Sequence, residues 1–285
     1  MAIKHILVTG ARGLLGRELL AYLQAKGYQV SGTSSADLDL LATQEAITET
    51  IQRIAPEVIV HCAAYTNVDG AEKQPELAMA INKEGTRKLA LAAKEAGSIF
   101  AYISTDYVFD GAKNALYTVQ DRPRPINTYG LSKYYGELQV TELLDTYYIV
   151  RTSWLYGIYG KNFVQFVLES ARQGREVSII QDQYGSPTWS GTLCHLIEQI
   201  VTSGSYGTYH ACDRGRVSRY EQALAICRRA GLSEQNIRPV PSQEFPQAAT
   251  RPVCTAMDPS PLASPTWETA LDAFMEQYLH HAALL

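Results

Sequence analysis

KHILVTGARGLLGRELLAYLQAKG, residues 4–27, decides the fold. KHILVTG is a short apolar run closed by glycine, the pattern of a buried strand. LLGRELLAYLQAKG has apolar residues at helical spacing and stops at Gly27. The loop between them carries Gly10, Gly13 and Gly16. In such a loop the first glycine permits a tight turn, the second lets the backbone approach a pyrophosphate, and the third lets helix pack on strand. The helix start then turns its unpaired N–H groups and positive dipole end toward the phosphates. This predicts a dinucleotide cradle made of Gly10, Arg12, Gly13, Leu14, Leu15 and Gly16.

The rhythm continues outward from that stretch. YQVSGTS reads as a strand, TQEAITETIQRIAP as a helix and EVIVHCAA as a strand. PELAMAINKEGTRKLALAAKEAG reads as one long helix. IFAYISTDYVF and YYIVRTSWLYG are strands on either side of the helix YGLSKYYGELQVTELL. Strands alternating with helices predict an α/β fold, a Rossmann-type doubly wound parallel sheet. From about Trp154 the alternation loosens and tyrosine, glycine and proline become frequent. The expected division is a nucleotide-binding domain over 1–153, with 188–212 returning to it, and a smaller substrate-binding lobe from 154–187 and 213–285.

The 285 residues, 46% of them hydrophobic, suffice for a sizeable core. A net charge of −4 without a basic stripe argues against nucleic acid. No run is long and apolar enough to span a membrane. Five scattered cysteines without CxxC spacing read as free thiols and offer no metal site, so the expected location is the cytoplasm.

NTYGLSKYYGE, residues 127–137, carries the chemistry. Tyr129 and Lys133 are four residues apart and share a helix face. A lysine ammonium beside a phenol favours the phenolate, which predicts a lowered tyrosine pKa and proton transfer near neutral pH. Ser104–Thr105–Asp106 ends the fourth strand, where ligands of open parallel sheets sit. Thr105, with Ser104 second, is the hydroxyl expected to bond a carbonyl undergoing reduction.

The G-x-x-G-x-x-G spacing resembles the extended short-chain dehydrogenases that act on sugar nucleotides. HCAAYTNVDGAE (61–72), STDYVFDG (104–111), NTYGLSK (127–133), RTSWLYG (151–157) and DQYGSPT (182–188) together resemble the dTDP-4-dehydrorhamnose reductase family. The resemblance implies NADPH-dependent reduction of the C4 ketone of dTDP-4-dehydro-β-L-rhamnose, a dTDP-linked 4-keto-6-deoxy sugar, to dTDP-β-L-rhamnose. It implies Tyr129 as proton donor, Lys133 as its partner and ribose ligand, and Thr105 as carbonyl ligand. It adds Asp39, Leu40, Ala63, Ala64 and Tyr65 to the cofactor site. Val68, Asp106, Tyr107 and Trp154 would line the sugar pocket, though Trp154 also reads as core. Asn162 and Arg251 would meet the nucleotide end.

Ser34 and Ser35 stand where an acid would select NADH, and Arg12 suits a 2′-phosphate. NADPH is therefore expected, with NADH also accepted. Some family members dimerise around magnesium. Here Glu18 suits a first ligand, but WSGTLCH after SPT brings no acid, so a metal-free monomer is expected. Two rival readings stay open. One is reduction of another nucleotide-linked 4-keto-6-deoxy sugar, giving for example 6-deoxytalose. The other is a non-catalytic NADP-binding subunit like that of methionine adenosyltransferase.

Overall fold

The computed structural model describes residues 3–282. Its centre is a six-stranded, all-parallel sheet. The strands are β1 (His5–Thr9), β2 (Gln29–Thr33), β3 (Val58–His61), β4 (Ile99–Thr105), β5 (Tyr147–Thr152) and β7 (Gly207–His210). Their spatial order is β7-β5-β4-β3-β1-β2. The order reverses between β1 and β3, which lie side by side with Ile6 opposite Val58 and Thr9 opposite His61. Loops leaving these two strands diverge to opposite faces and open a crevice, the usual ligand site of such sheets.

Alternation along the strands fills both faces. On one, Ile6, Val8, Val60, Ile103 and Val150 pack under Leu15, Leu19 and Leu23 of α1 (Leu14–Ala25) and Leu193, Leu196 and Ile197 of α6 (Ser190–Thr202). On the other, Leu7, Ile59, Phe100 and Tyr102 pack under α2 (Gln44–Ile54), α3 (Thr86–Ala96) and α4 (Thr128–Leu143). A third core joins α5 (Phe163–Arg172), α7 (Arg219–Arg229) and α8 (Trp267–Ala282) to β6 (Val177–Ile180), which pairs in parallel with β8 (Ile237–Val240). The caps follow side-chain chemistry. Asn127 accepts the Gly130 N–H at the start of α4, and Ser218 with Glu221 forms a reciprocal capping box on α7.

Three elements depart from the local pattern. The segment read as one long helix holds a π-helical stretch, Ala80–Gly85. Within it Asn82 is drawn away to bridge the Tyr65 N–H and C=O, and Gly85 lies so close to Leu40 that a Cβ there would be 2.7 Å from Leu40 Cβ. The fourth strand stops at Thr105, because the Thr105 hydroxyl accepts the Tyr107 N–H and turns the chain into a short 3-10 helix. The fifth stops at Thr152. Trp154 then takes a left-handed φ of 47°, and Leu155–Tyr156 pairs elsewhere, with Thr188–Trp189.

Asp213 follows β7, fully buried, and its carboxylate accepts the Trp189 N–H at 2.9 Å. Burial pushes its pKa up to about 7. The folded chain thus holds a proton that the unfolded chain releases near pH 4. The stability from that proton is full below this pH and is lost as pH rises through about 7. Thermal melts should therefore show Asp213→Asn losing less stability than wild type between acidic and mildly alkaline buffer. Equal losses in both proteins would contradict this.

Candidate active site

A cleft of about 720 Å³ opens at the carboxyl ends of β1, β3, β4 and β5. Its floor is bare backbone for a physical reason. Gly10 has a φ of 66°, and a Cβ there would lie 2.8 Å from the Ala63 backbone. Gly13, Leu14, Leu15 and Gly16 continue the floor, and Ala63 and Ala64 face them from the end of β3. Arg12, Ser34 and Ser35 line the outer end. Asp37 lies next to them. Its carboxylate takes the Ser34 N–H at 2.9 Å and the Ser34 hydroxyl at 2.7 Å. Those bonds, with Arg12 nearby, hold it below the usual carboxylate range.

Thr105, Tyr129 and Lys133 converge on the inner end, with Val68, Asp106, Tyr107 and Trp154 around them. The Tyr107 and Tyr129 rings meet edge to face at 6.0 Å. Lys133 is 2% exposed, and its Nζ sits 4.0 Å from the centre of the Tyr102 ring. Burial lowers the lysine to about 7, opposed chiefly by Glu137. The expectation of a lowered tyrosine does not hold in this geometry. Burial raises the Tyr129 pKa, with a Thr105 hydrogen bond pulling the other way. Desolvating the phenol is the largest influence, and the Asp106 and Tyr107 side chains add to it. A phenol kept protonated is the right form for giving a proton to an incipient alkoxide, a far stronger base than a phenolate. Asp106 is buried beside it, pushed up to about 6 by that burial, and accepts the hydroxyls of Thr255 at 2.5 Å and Thr105 at 3.1 Å.

Five expected residues lie off this cleft. Asp39 is exposed and closes a turn onto the Leu41 N–H. Leu40 is core, packed with Ile47 and Ile51. Tyr65 is set back, its backbone clamped by Asn82. Asn162 spends its side chain capping α5 and bonding the Gly157 carbonyl. Arg251 grips Asp69 through two nitrogens, at 2.5 and 2.9 Å, and lines a second cavity of about 490 Å³.

Both cavities share Tyr107, Phe163 and Arg219. Sequence reasoning missed Arg219, which opens α7 inside an ordinary amphipathic pattern and gives no local signal. Its guanidinium stacks 3.5 Å from the Trp154 ring centre and 4.8 Å from that of Phe163. Burial brings it down to about 10, still charged at neutral pH. Trp154 reaches this stack through its left-handed backbone, and Gly185 leaves the room for its indole. Lys161 and Phe163, on either side of Asn162 in the chain, also line the main cleft.

The model of the RmlD substrate binding domain matches residues 4–280. The chain belongs to this family. A dTDP-4-dehydrorhamnose reductase of Streptomyces griseus is 38% identical over 89% of this chain and 85% of its own length. A dTDP-4-keto-6-deoxy-D-glucose reductase of Streptomyces niveus is 36% identical over 88% and 87%. The crystal structure of a dTDP-4-dehydrorhamnose reductase from Bacillus anthracis in complex with NADP superposes with a TM-score of 0.93 and 39% identity. It covers 97% of this chain and 100% of that one.

The cleft fits the same cofactor. Its glycine floor admits a pyrophosphate, and Arg12 with Ser34 and Ser35 provides donors at the end where a 2′-phosphate belongs. Losing a charge-assisted bond costs about 1.5–3 kcal/mol. Arg12→Ala should therefore raise the KM for NADPH roughly tenfold or more while leaving that for NADH little changed. Equal effects on both cofactors would place Arg12 away from the phosphate.

Proposed function

We propose that this chain is an NADPH-dependent reductase that converts dTDP-4-dehydro-β-L-rhamnose to dTDP-β-L-rhamnose. The observation that carries the reading is the convergence of Thr105, Tyr129 and Lys133 on one cleft that continues past Arg219 into a second, aromatic cavity. A nucleotide sugar needs that length and that order of chemistry. The keto-sugar lies between Tyr129 and Val68. The diphosphate meets the Arg219 guanidinium at the junction, with Lys161 beside it. The nucleoside enters the second cavity, where Phe166 and Phe245 are exposed for contact with a base.

NADPH, when bound along the glycine floor, supplies the hydride. Tyr129 gives its proton to the C4 oxygen. Lys133 places positive charge beside the phenolate that forms, and reaches the ribose. Thr105 orients the C4 carbonyl through its hydroxyl. Thr105 and Lys133 are buried, and Tyr129 is half-buried at the cleft wall, where it can meet the substrate.

Tyr129→Phe should lower kcat by about 10²–10⁴-fold and leave NADPH binding intact. The decisive assay follows NADPH oxidation with dTDP-4-dehydrorhamnose and identifies the product. Turnover with dTDP-L-rhamnose formed establishes the reading. NADPH binding without turnover sinks it. The Streptomyces niveus relative favours one alternative, another 4-keto-6-deoxy sugar; a different product configuration would reveal it.

We also propose a monomer that needs no metal and works in the cytoplasm. Glu18 is 7% exposed and accepts the Ser190 hydroxyl at 2.5 Å, directed into the contact between α1 and α6 rather than toward a partner. All five cysteines are free, as suits a reducing compartment. Chelation with EDTA should change neither turnover nor sedimentation. A loss of either that magnesium restores would refute the metal-free monomer.

A further inference from the structure

Glu137 stands four residues beyond Lys133 on the same face of α4, in series with Tyr129. It is 2% exposed, so no substrate reaches it. Three donors hold its carboxylate. Arg151 of β5 gives Nε to Oε1 at 2.8 Å and Nη2 to Oε2 at 2.7 Å. Ser104 of β4 gives its hydroxyl to Oε1 at 2.6 Å. Packing alone does not call for such a device, since a buried ion pair is often matched or bettered in stability by apolar residues of the same volume.

Four other titratable groups around Lys133 are held neutral. From the end of β3, burial pushes the Cys62 thiol up to about 12 and the His61 imidazole down to about 3. From β4, the Tyr102 phenol is pushed well up, and on α4 itself Tyr129 is pushed up as well. On β5, Arg151 is a further cation, and its guanidinium is turned onto Glu137. Tyr102 offers Lys133 only the face of its ring.

We infer that Glu137, clamped by Arg151 and Ser104, is a positioning residue that keeps Lys133 charged beneath Tyr129. The inference rests on the reductase reading above. With Glu137 in place burial still brings Lys133 down to about 7, and Glu137 is the largest influence in the other direction. Without that carboxylate the ammonium discharges at a lower pH. The phenolate formed as Tyr129 gives up its proton then loses its counter-charge.

The test is kcat against pH for wild type, Glu137→Gln, Glu137→Asp and the double variant Glu137→Met/Arg151→Met. The double variant removes the charge without stranding a buried arginine, so it remains informative where the single one fails to fold. Activity should fall on the alkaline side as Lys133 discharges. In Glu137→Gln and the double variant this fall should move at least about one pH unit lower, giving roughly a tenfold loss at neutral pH that acid buffer restores. Glu137→Asp should keep most of the wild-type profile. A folded variant without the carboxylate whose loss is uniform in pH, or whose alkaline limb is unmoved, overturns the inference. The ¹³Cε chemical shift of Lys133, assigned through Lys133→Arg, reads the same ionisation without turnover. A wild type inactive on the keto-sugar would refute the reductase reading, while the shift would still decide the role of Glu137.

Discussion

The approach of two backbones governs this molecule. Gly10, leaving β1, comes so close to Ala63, leaving β3, that no side chain fits between them. Those strands are neighbours at the point where the sheet reverses its order. The contact fixes the glycine loop against the end of β3 and leaves a floor of peptide groups on which a pyrophosphate can lie. Everything catalytic is then measured from that floor. Thr105 ends β4, the strand beside β3. Asn127 caps the helix whose first turn carries Tyr129, so the same turn that begins α4 aims the phenol into the cleft.

Burial sets the electrostatics of the inner end. It raises Tyr129 and Asp106 and lowers Lys133, so charges that would stand freely in water are here costly and conditional. The structure answers with partners fixed in advance: a ring face under Lys133, two hydroxyls on Asp106, and a three-fold clamp on Glu137. Such preorganisation leaves little to rearrange when charge moves during proton transfer. At the junction of the two cavities the solution differs. Arg219 is held between aromatic faces, which position the guanidinium without consuming its charge.

Much of this was legible in the chain. The alternation of apolar strands and amphipathic helices gave the parallel sheet, and the glycine spacing placed the cofactor cradle at its first loop. The pair Tyr129 and Lys133 was visible because helical periodicity is local. Asp39, Leu40, Tyr65 and Asn162 lie off the cleft, although Tyr65 and Asn162 each sit between two cleft residues in sequence. Whether a side chain turns toward the cleft, into the core or onto a cap depends on packing several residues away. Arg219 gave no signal, since its neighbours in space, Trp154 and Phe163, are remote in sequence.

The order of amino acids alone specified the fold class, the glycine floor and the placing of Tyr129 and Lys133 on one helix face. These follow from periodicity and from what glycine alone permits, which are properties of short stretches. Tertiary structure alone decided the electrostatic state of those groups and the course of the cleft. A pKa depends on desolvation and on charges brought together from β3, β4, β5 and α4, and the aromatic cage around Arg219 exists only once α5, α7 and the left-handed turn at Trp154 have packed against one another.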